Sequence, residues 1–336
     1  MRSLNAVMWL RYKIVVVGLA AILVTSCTRD QITQPIPGNT LPDIPANLQV
    51  FGAQDGAIGI EWDKNTDASQ ITYKIYRSIN NANNFKYLAS TTSTYFVDDS
   101  LEYDSTYYYR ISAVNSAGME SALSDYVSAK PINLYPPLPP TLVHINARNW
   151  TNTPQIFISW DPPIDTDVKG YNIYRSTADN FDADSAHLVA FTKTSSYTDT
   201  KNLSLLTTYY YKICAVDKGN LKSTPTYIAS DLILNSPSLI FPADNSTLTQ
   251  LTKFRFMAAS KPAKYKLVIQ TNIVYGVVQE FNFSSDQVDQ VITVDASGLS
   301  LDPFRSYVWR VYTYTSSDTD PNSFSDYFSF TYNPNQ

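Results

Sequence analysis

Five positions recur three times along this chain at fixed spacing. Each copy runs Leu, five residues, Tyr, one residue, an aromatic, a base, then Ile or Val. The first is Leu101, Tyr107, Tyr109, Arg110 and Ile111. The second is Leu203, Tyr209, Tyr211, Lys212 and Ile213. The third is Leu301, Tyr307, Trp309, Arg310 and Val311. Successive Tyr lie 102 and 98 residues apart. A period of that size, held over three copies, implies three similar units in tandem. Inside each copy the large apolar residues alternate with others, which is the period of a strand.

A second pattern joins the first two units. Tyr73-Lys74-Ile75-Tyr76-Arg77-Ser78 and Tyr171-Asn172-Ile173-Tyr174-Arg175-Ser176 are nearly identical. Each follows a Trp by 11 residues, Trp62 and Trp160, and both Trp close alternating runs that read as strands. The chain carries 25 Tyr, and only 16% of its residues are charged. Tyr, Val, Ile and Thr suit a half-buried pleated surface. No strong amphipathic helical pattern follows the first thirty residues, so the class expected is all-β.

An early Trp, a Y-x-I-Y-R strand and then L-x5-Y-x-Y-R-I-S-A-V-N resemble a fibronectin type III domain. The resemblance covers residues 44–334. It implies that Tyr107, Tyr209 and Tyr307 are tyrosine corners, each pinning a loop through a backbone group upstream. The third unit departs from the pattern. Phe254 and Phe256 stand where its early Trp is expected, and its indole moves to Trp309. That variant resembles the immunoglobulin-like domains of bacterial outer-membrane glycan-binding lipoproteins. The architecture expected is three tandem fibronectin type III/immunoglobulin-like β-sandwiches after a lipoprotein signal peptide. Its boundaries are 1–26 for the signal peptide, 27–43 for a tether and 44–132 for the first domain. A Pro-rich linker at 133–140, a second domain at 141–235 and a third at 236–336 complete it. The run PINLYPPLPP at 131–140 favours an extended, semi-rigid spacer.

The N-terminus is read as a targeting segment. Arg2, Arg11 and Lys13 precede 11 apolar or Gly residues, Ile14 to Val24. A membrane span needs roughly 20, whereas a signal-peptide core needs about this many. Val24-Thr25-Ser26-Cys27 then resembles the bacterial lipobox, which implies cleavage before Cys27 and diacylation of its sulfur. A secretory signal with an incidental Cys27 and an uncleaved anchor helix are the alternatives. The chain has just one other cysteine, Cys214, so lipidation would leave no internal disulfide. Cys214 falls in a strand whose core side carries Ile213 and Ala215, so it faces the other way. The location expected is the cell envelope, held to a membrane through the lipid. Thr28 favours the outer membrane by analogy.

Without the three leader bases, 25 Lys+Arg become 22 against 30 Asp+Glu. No basic stripe is present, so nucleic acid is not an expected partner. His144 and His187, the only two histidines, each stand alone in sequence. No nucleophile elbow, zinc-protease motif or phosphate-cradling Gly loop occurs. No catalytic residue and no cofactor are expected, and the chain reads as non-enzymatic. Two loops, with Asp63 and Asp67 and with Asp161, Asp165 and Asp167, could offer oxygens to calcium. Asp and Pro equally suit tight turns; the turn reading is favoured and no metal is assigned. Trp150, in the polar stretch NARNWTNT, is the indole least accounted for by a core. It either lids the end of a sandwich or offers a flat face to a sugar ring or a protein. Tyr135 in the Pro-rich run poses the same choice. A binding or adhesion module for a glycan or protein partner is the function expected, with a structural stalk as the alternative. Oligomeric state is left open.

Overall fold

The computed structural model describes residues 40–66, 70–151, 153–316 and 319–335. The leader, Cys27 and Asp67 lie outside the described residues. Among the described residues no helix is long and apolar enough to cross a membrane.

The first sandwich is built from β1 (Gln49–Gln54), β2 (Ala57–Glu61), β3 (Ile71–Ile79), β4 (Lys86–Thr91), β5 (Tyr95–Asp98), β6 (Tyr107–Asn115) and β7 (Val127–Ala129). One sheet runs β1-β2-β5 and the other β4-β3-β6-β7. The second repeats this order with β8 (Thr141–Arg148), β9 (Gln155–Asp161), β10 (Val168–Ser176), β11 (Leu188–Thr192), β12 (Ser196–Asp199), β13 (Thr208–Asp217) and β14 (Ala229–Leu232). Its sheets are β8-β9-β12 and β11-β10-β13-β14. The third domain adds strands: β15 (Ser238–Phe241), β16 (Ser246–Leu248), β17 (Lys253–Met257), β18 (Ala263–Gln270), β19 (Val277–Ser285), β20 (Val291–Asp295), β21 (Arg305–Tyr314), β22 (Ser323–Phe324) and β23 (Phe328–Tyr332). Here β15-β17-β20 faces a wider sheet, β16-β23-β21-β18-β19, with β22 also on β21.

Alternation explains the cores. In β2, Ile58 and Ile60 point inward and are fully buried. In β6, Tyr107, Tyr109, Ile111 and Ala113 do the same from the opposite sheet. The second domain matches with Ile156, Ile158, Tyr209, Tyr211, Ile213 and Ala215. The neighbouring position, Cys214, is also buried, but it joins Tyr174 and Phe181 on the outer face of its sheet. Burial pushes its thiol up to about 11, so it stays protonated.

Beneath each of the first two cores lies a polar triad absent from the sequence reading. In the first domain Arg77 Nη1 donates to both carboxylate oxygens of Asp98 at 2.9 Å, and Tyr109 Oη donates to Asp98 Oδ2 at 2.6 Å. In the second, Arg175 reaches Asp199 Oδ2 at 2.6 Å and Tyr211 reaches it at 2.8 Å. The third domain replaces all three. Strand register puts Ile269 opposite Trp309, as Arg77 is opposite Tyr109. It also puts Val294 beside Phe254, as Asp98 is beside Ile58. An ion pair and its hydroxyl have become three apolar side chains in one core. Changing one member alone would leave a buried charge unpaired, so the three positions are coupled.

The same register corrects one expectation. Phe254 and Phe256 take the places of Ile58 and Ile60, and Ala258 takes the place of Trp62. Trp62 N–H donates to Thr94 O at 3.0 Å, and Ala258 N–H makes the matching bond to Gln290 O at 2.9 Å. In the first domain the Trp62 indole packs edge-on against Tyr73, centroids 5.2 Å apart. In the third, Phe283 from β19 stacks on Tyr265 at 5.6 Å instead. A ring supplied by a neighbouring strand stands in for the missing indole.

Candidate functional site

The chain's two domain junctions position Tyr135, Trp150, Asp165 and Asp167 among the residues singled out from sequence. At the first, Asp55-Gly56 closes the β1–β2 hairpin with φ of 49° and 70°, the two-residue turn that matches strand twist. Asp55 Oδ1 then accepts the backbone N–H groups of Leu134 and Tyr135 at 2.9 and 2.8 Å. The Pro-rich run is therefore tied to the first domain at its start. Farther along, Leu138 N–H donates to Asp165 Oδ2 at 3.0 Å. A Cβ on Gly56 would sit 2.6 Å from Asp167 Cβ, and one on Gly219 would meet the Asn133 side chain at 1.7 Å. Both glycines are needed for the approach of the linker and the two domains.

Across that junction Tyr103 donates its hydroxyl to Asp167, and Lys218 pairs with Glu102 at 2.6 Å. Burial pushes Asp167 and Asp217 above the usual carboxylate range, with Asp217 acting on Asp167 and Asp55 on Asp217. Asp217 is fully buried, and its Oδ2 has no hydrogen-bond partner. Burial and then Asp167 push the Tyr103 hydroxyl upward too. Of the Asp residues weighed for calcium, three are engaged with the protein: Asp63 accepts from Asn47 at 2.7 Å, and Asp165 and Asp167 hold the junction. Among the described residues no group of three or more His, Cys, Asp or Glu is arranged to hold a metal. His187 sits 2.9 Å from Asp184 and His144 3.6 Å from Asp320, each on the surface.

At the second junction the loop after β21 inserts into the second domain. Asn149 N–H donates to Asn322 O at 2.7 Å. The Asn322 side chain accepts from Leu234 N–H at 2.8 Å and donates to Leu232 O at 2.6 Å. Ser316 Oγ lies 2.8 Å from Asp231 Oδ2. Asn322, Asn146 and Asn149 are all buried. Trp150 belongs to this joint: its indole N–H donates to Pro321 O at 2.8 Å, and its ring tilts against Phe324, centroids 6.3 Å apart.

The indole, with Arg148 over its ring, lines a cleft of about 320 Å³. Trp150, Phe324, Phe328, Leu239 and Pro237 supply apolar walls, and Ser236, Ser238, Ser325 and Asp326 supply polar ones. Two guanidinium groups brace the aromatic floor. Arg148 lies 4.6 Å from the Trp150 ring and 4.6 Å from Phe157. Arg310 lies 4.3 Å from Phe324 and 3.9 Å from Tyr327. The stack Phe157-Arg148-Trp150-Phe324-Arg310-Tyr327 runs across the domain boundary, each step a favourable contact of a cation with a ring face or of ring with ring. Sequence singled out Trp150 as the indole least accounted for by a core and missed its partners. The signal for them was the aromatic cluster SFSDYFSF at 323–330 together with Arg310, the base of the third repeat.

Chemically the cleft offers flat apolar surface beside an exposed carboxylate and hydroxyls. That combination suits a ligand with an apolar face and hydroxyl donors. Two other surface hollows, one beside Lys64 and Tyr73 and one between β19 and β20, contain no carboxylate, and this one contains only Asp326. None of the three juxtaposes the two acids that hydrolytic chemistry on glycosides uses.

The loop preceding β6, β13 and β21 carries the expected tyrosine-corner bond. Glu102 N–H donates to Tyr107 Oη at 2.9 Å, Ser204 N–H to Tyr209 Oη at 2.9 Å, and Asp302 N–H to Tyr307 Oη at 2.8 Å. All three expected tyrosine corners are formed. The domains are fibronectin type III-like β-sandwiches. Such domains are commonly binding or spacer modules and are typically non-catalytic.

No family model matches the chain. Curated relatives align over fibronectin type III regions of this kind at low identity. Exoglucanase B of Cellulomonas fimi is 26% identical over 63% of this chain and 19% of its own. Chitinase A1 of Niallia circulans is 26% identical over 59% and 27%. An alpha-amylase of Niallia circulans is 32% identical over 28% and 7%. The chain spans under a third of the length of each. The crystal structure of the chicken CNTN1 FN1–FN3 domains covers 87% of this chain and 100% of its own, at 12% identity and a TM-score of 0.39.

Proposed function

We propose that this protein is a non-catalytic envelope lipoprotein whose second and third fibronectin type III domains bind a glycan in the cleft between them. The observation that carries the reading is the braced aromatic floor of Trp150 and Phe324 beside Asp326. A ring face suits the C–H face of a pyranose, and a carboxylate accepts from sugar hydroxyls. Three of the relatives are named as an exoglucanase, a chitinase and an amylase, which supports a polysaccharide setting. Lipidation at Cys27 would tether the array to a membrane, most simply the outer one. Metabolic labelling with an alkyne palmitate analogue tests that part: Cys27→Ser must abolish incorporation.

Retention on a glycan array tests the cleft. Because Trp150 also holds the junction, the decisive variant is Asp326→Ala, whose side chain is exposed. Loss of binding with an unchanged melting curve supports the reading. Undiminished retention, or no retained glycan from the native protein, overturns it.

The interlocked junctions favour a second reading, a spacer of fixed shape. Small-angle scattering that fits a single domain arrangement supports it; a broad distribution of arrangements counts against it.

A further inference from the structure

The third domain exposes a sheet edge unlike those of its neighbours. β19 is nine residues long, Val277-Val278-Gln279-Glu280-Phe281-Asn282-Phe283-Ser284-Ser285, and it closes one side of its sheet. The corresponding edges of the first two domains, β4 and β11, have six and five residues. Protein edges are normally blunted by Lys, Pro, bulges or shortness. β19 carries one charge, Glu280, no Lys and no Pro, and a bulge only at its start. Beside it, between β19 and β20, runs a groove of about 540 Å³ lined by Phe283, Val291 and Val294 among others. Just before it, the hairpin tip leaves Ile273, Val274 and Tyr275 largely exposed.

We propose that this edge pairs with the same edge of a second copy of the chain, antiparallel, with the two-fold axis at Phe281. Opposed residues in an antiparallel pair share a face, so a two-fold axis must pass through a residue. Phe281 is the residue that gives all nine positions a partner. An axis at Glu280 would oppose two carboxylates and is disfavoured. About Phe281, Glu280 faces the partner's Asn282, and Asn282 faces the partner's Glu280. The carboxylate accepts where the amide donates, twice by symmetry. Phe281 meets its own image on the core side, and the half-buried Phe283 is covered where the groove begins. The six-stranded sheet would become continuous across both copies. A single strand pairing is a small interface, so the association expected is micromolar.

Asn282 is exposed and lies opposite Lys266 on β18, whose Nζ is 3.6 Å from Glu280. This makes a clean test. Asn282→Glu places an acid beside Lys266 in the monomer, which that domain tolerates, and against Glu280 in the dimer. Asn282→Lys does the reverse in the dimer. The experiment is sedimentation of the full chain in a density-matched detergent, up to about 100 µM, with the dissociation constant read for each form. The expected result is a dimer weakened about fivefold or more by Asn282→Glu, which melts like the native protein, and tightened by Asn282→Lys, whose own fold loses a little stability because the new Lys lies opposite Lys266. A native chain that stays monomeric overturns the proposal. So does a dimer that neither variant alters. A monomer that instead captures an added extended peptide on β19 overturns it as well and assigns the edge to a foreign strand.

Discussion

Ile269 of the third domain occupies the place that Arg77 holds in the first. The exchange is matched by Val294 for Asp98 and Trp309 for Tyr109, so the charge and both of its partners left together. In the second domain the triad is tighter, with Asp199 at 1% and Arg175 at 16% side-chain exposure.

Asp199→Ala is therefore expected to destabilise the second domain by about 3 kcal/mol, at the low end for breaking a buried pair because Arg175 keeps some solvent. Replacing Arg175, Asp199 and Tyr211 together by Ile, Val and Trp should recover most of that loss. Urea denaturation of both variants measures it. A triple variant no more stable than Asp199→Ala would show that the apolar set works only in the third domain's wider sheet.

Tyr209→Phe keeps the ring and removes the acceptor of Ser204 N–H. The expected cost is about 1 kcal/mol, rising if that amide stays dry. The equivalent change at Tyr307 should cost a similar amount, since its bond to Asp302 N–H has the same geometry. Equilibrium denaturation midpoints check both.

Gly56→Ala forces a Cβ toward Asp167 at a positive φ. The expected outcome is a loosened first junction, with faster amide exchange at Leu134 and Tyr135, whose N–H groups Asp55 holds. Exchange confined to the first hairpin would mean that the linker contact survives.

Two acid responses should oppose each other. Glu120 is partly buried, but bonds from Lys74, Ser112 and Tyr76 outweigh that and bring it down to about 2. A carboxylate lowered in the fold contributes stability above its unfolded pKa of about 4.3, which is lost as pH falls toward the folded value. Asp167 and Asp217 are raised by burial, so their contribution is full below about pH 3.9 and is lost as pH rises through their folded values. The first domain should thus weaken in acid while its junction to the second tightens. Glu120→Gln should flatten the acid slope of the first domain's unfolding midpoint, and junction amide protection, taken relative to the intrinsic exchange rate at each pH, should rise toward acid.

The sheets were legible because their signals are local. Alternation in residues 107–113 and the fixed Leu–Tyr spacing specify which side chains face inward and where a loop is pinned. The triads were not legible, because Arg77, Asp98 and Tyr109 come from three strands and meet only after pairing. Trp150 stood out by its polar surroundings, yet its partners Phe324 and Arg310 lie about one and a half domains further along the chain, and nothing near it in sequence names them. The ties of the linker were hidden for a similar reason. Pro content foretold extension, but the acceptors that tie it down, Asp55 and Asp165, sit in turns on either side.

The plug formed by Asn322 limits how this chain can be taken apart. It supplies hydrogen bonds to Leu232, Leu234 and Asn149, all of which belong to the preceding sandwich. Cutting after Asn235 would strip those groups of their partners and uncover the rings beside Trp150. The smallest excisable unit at the C-terminal end is consequently the pair of domains, even though each has its own hydrophobic centre.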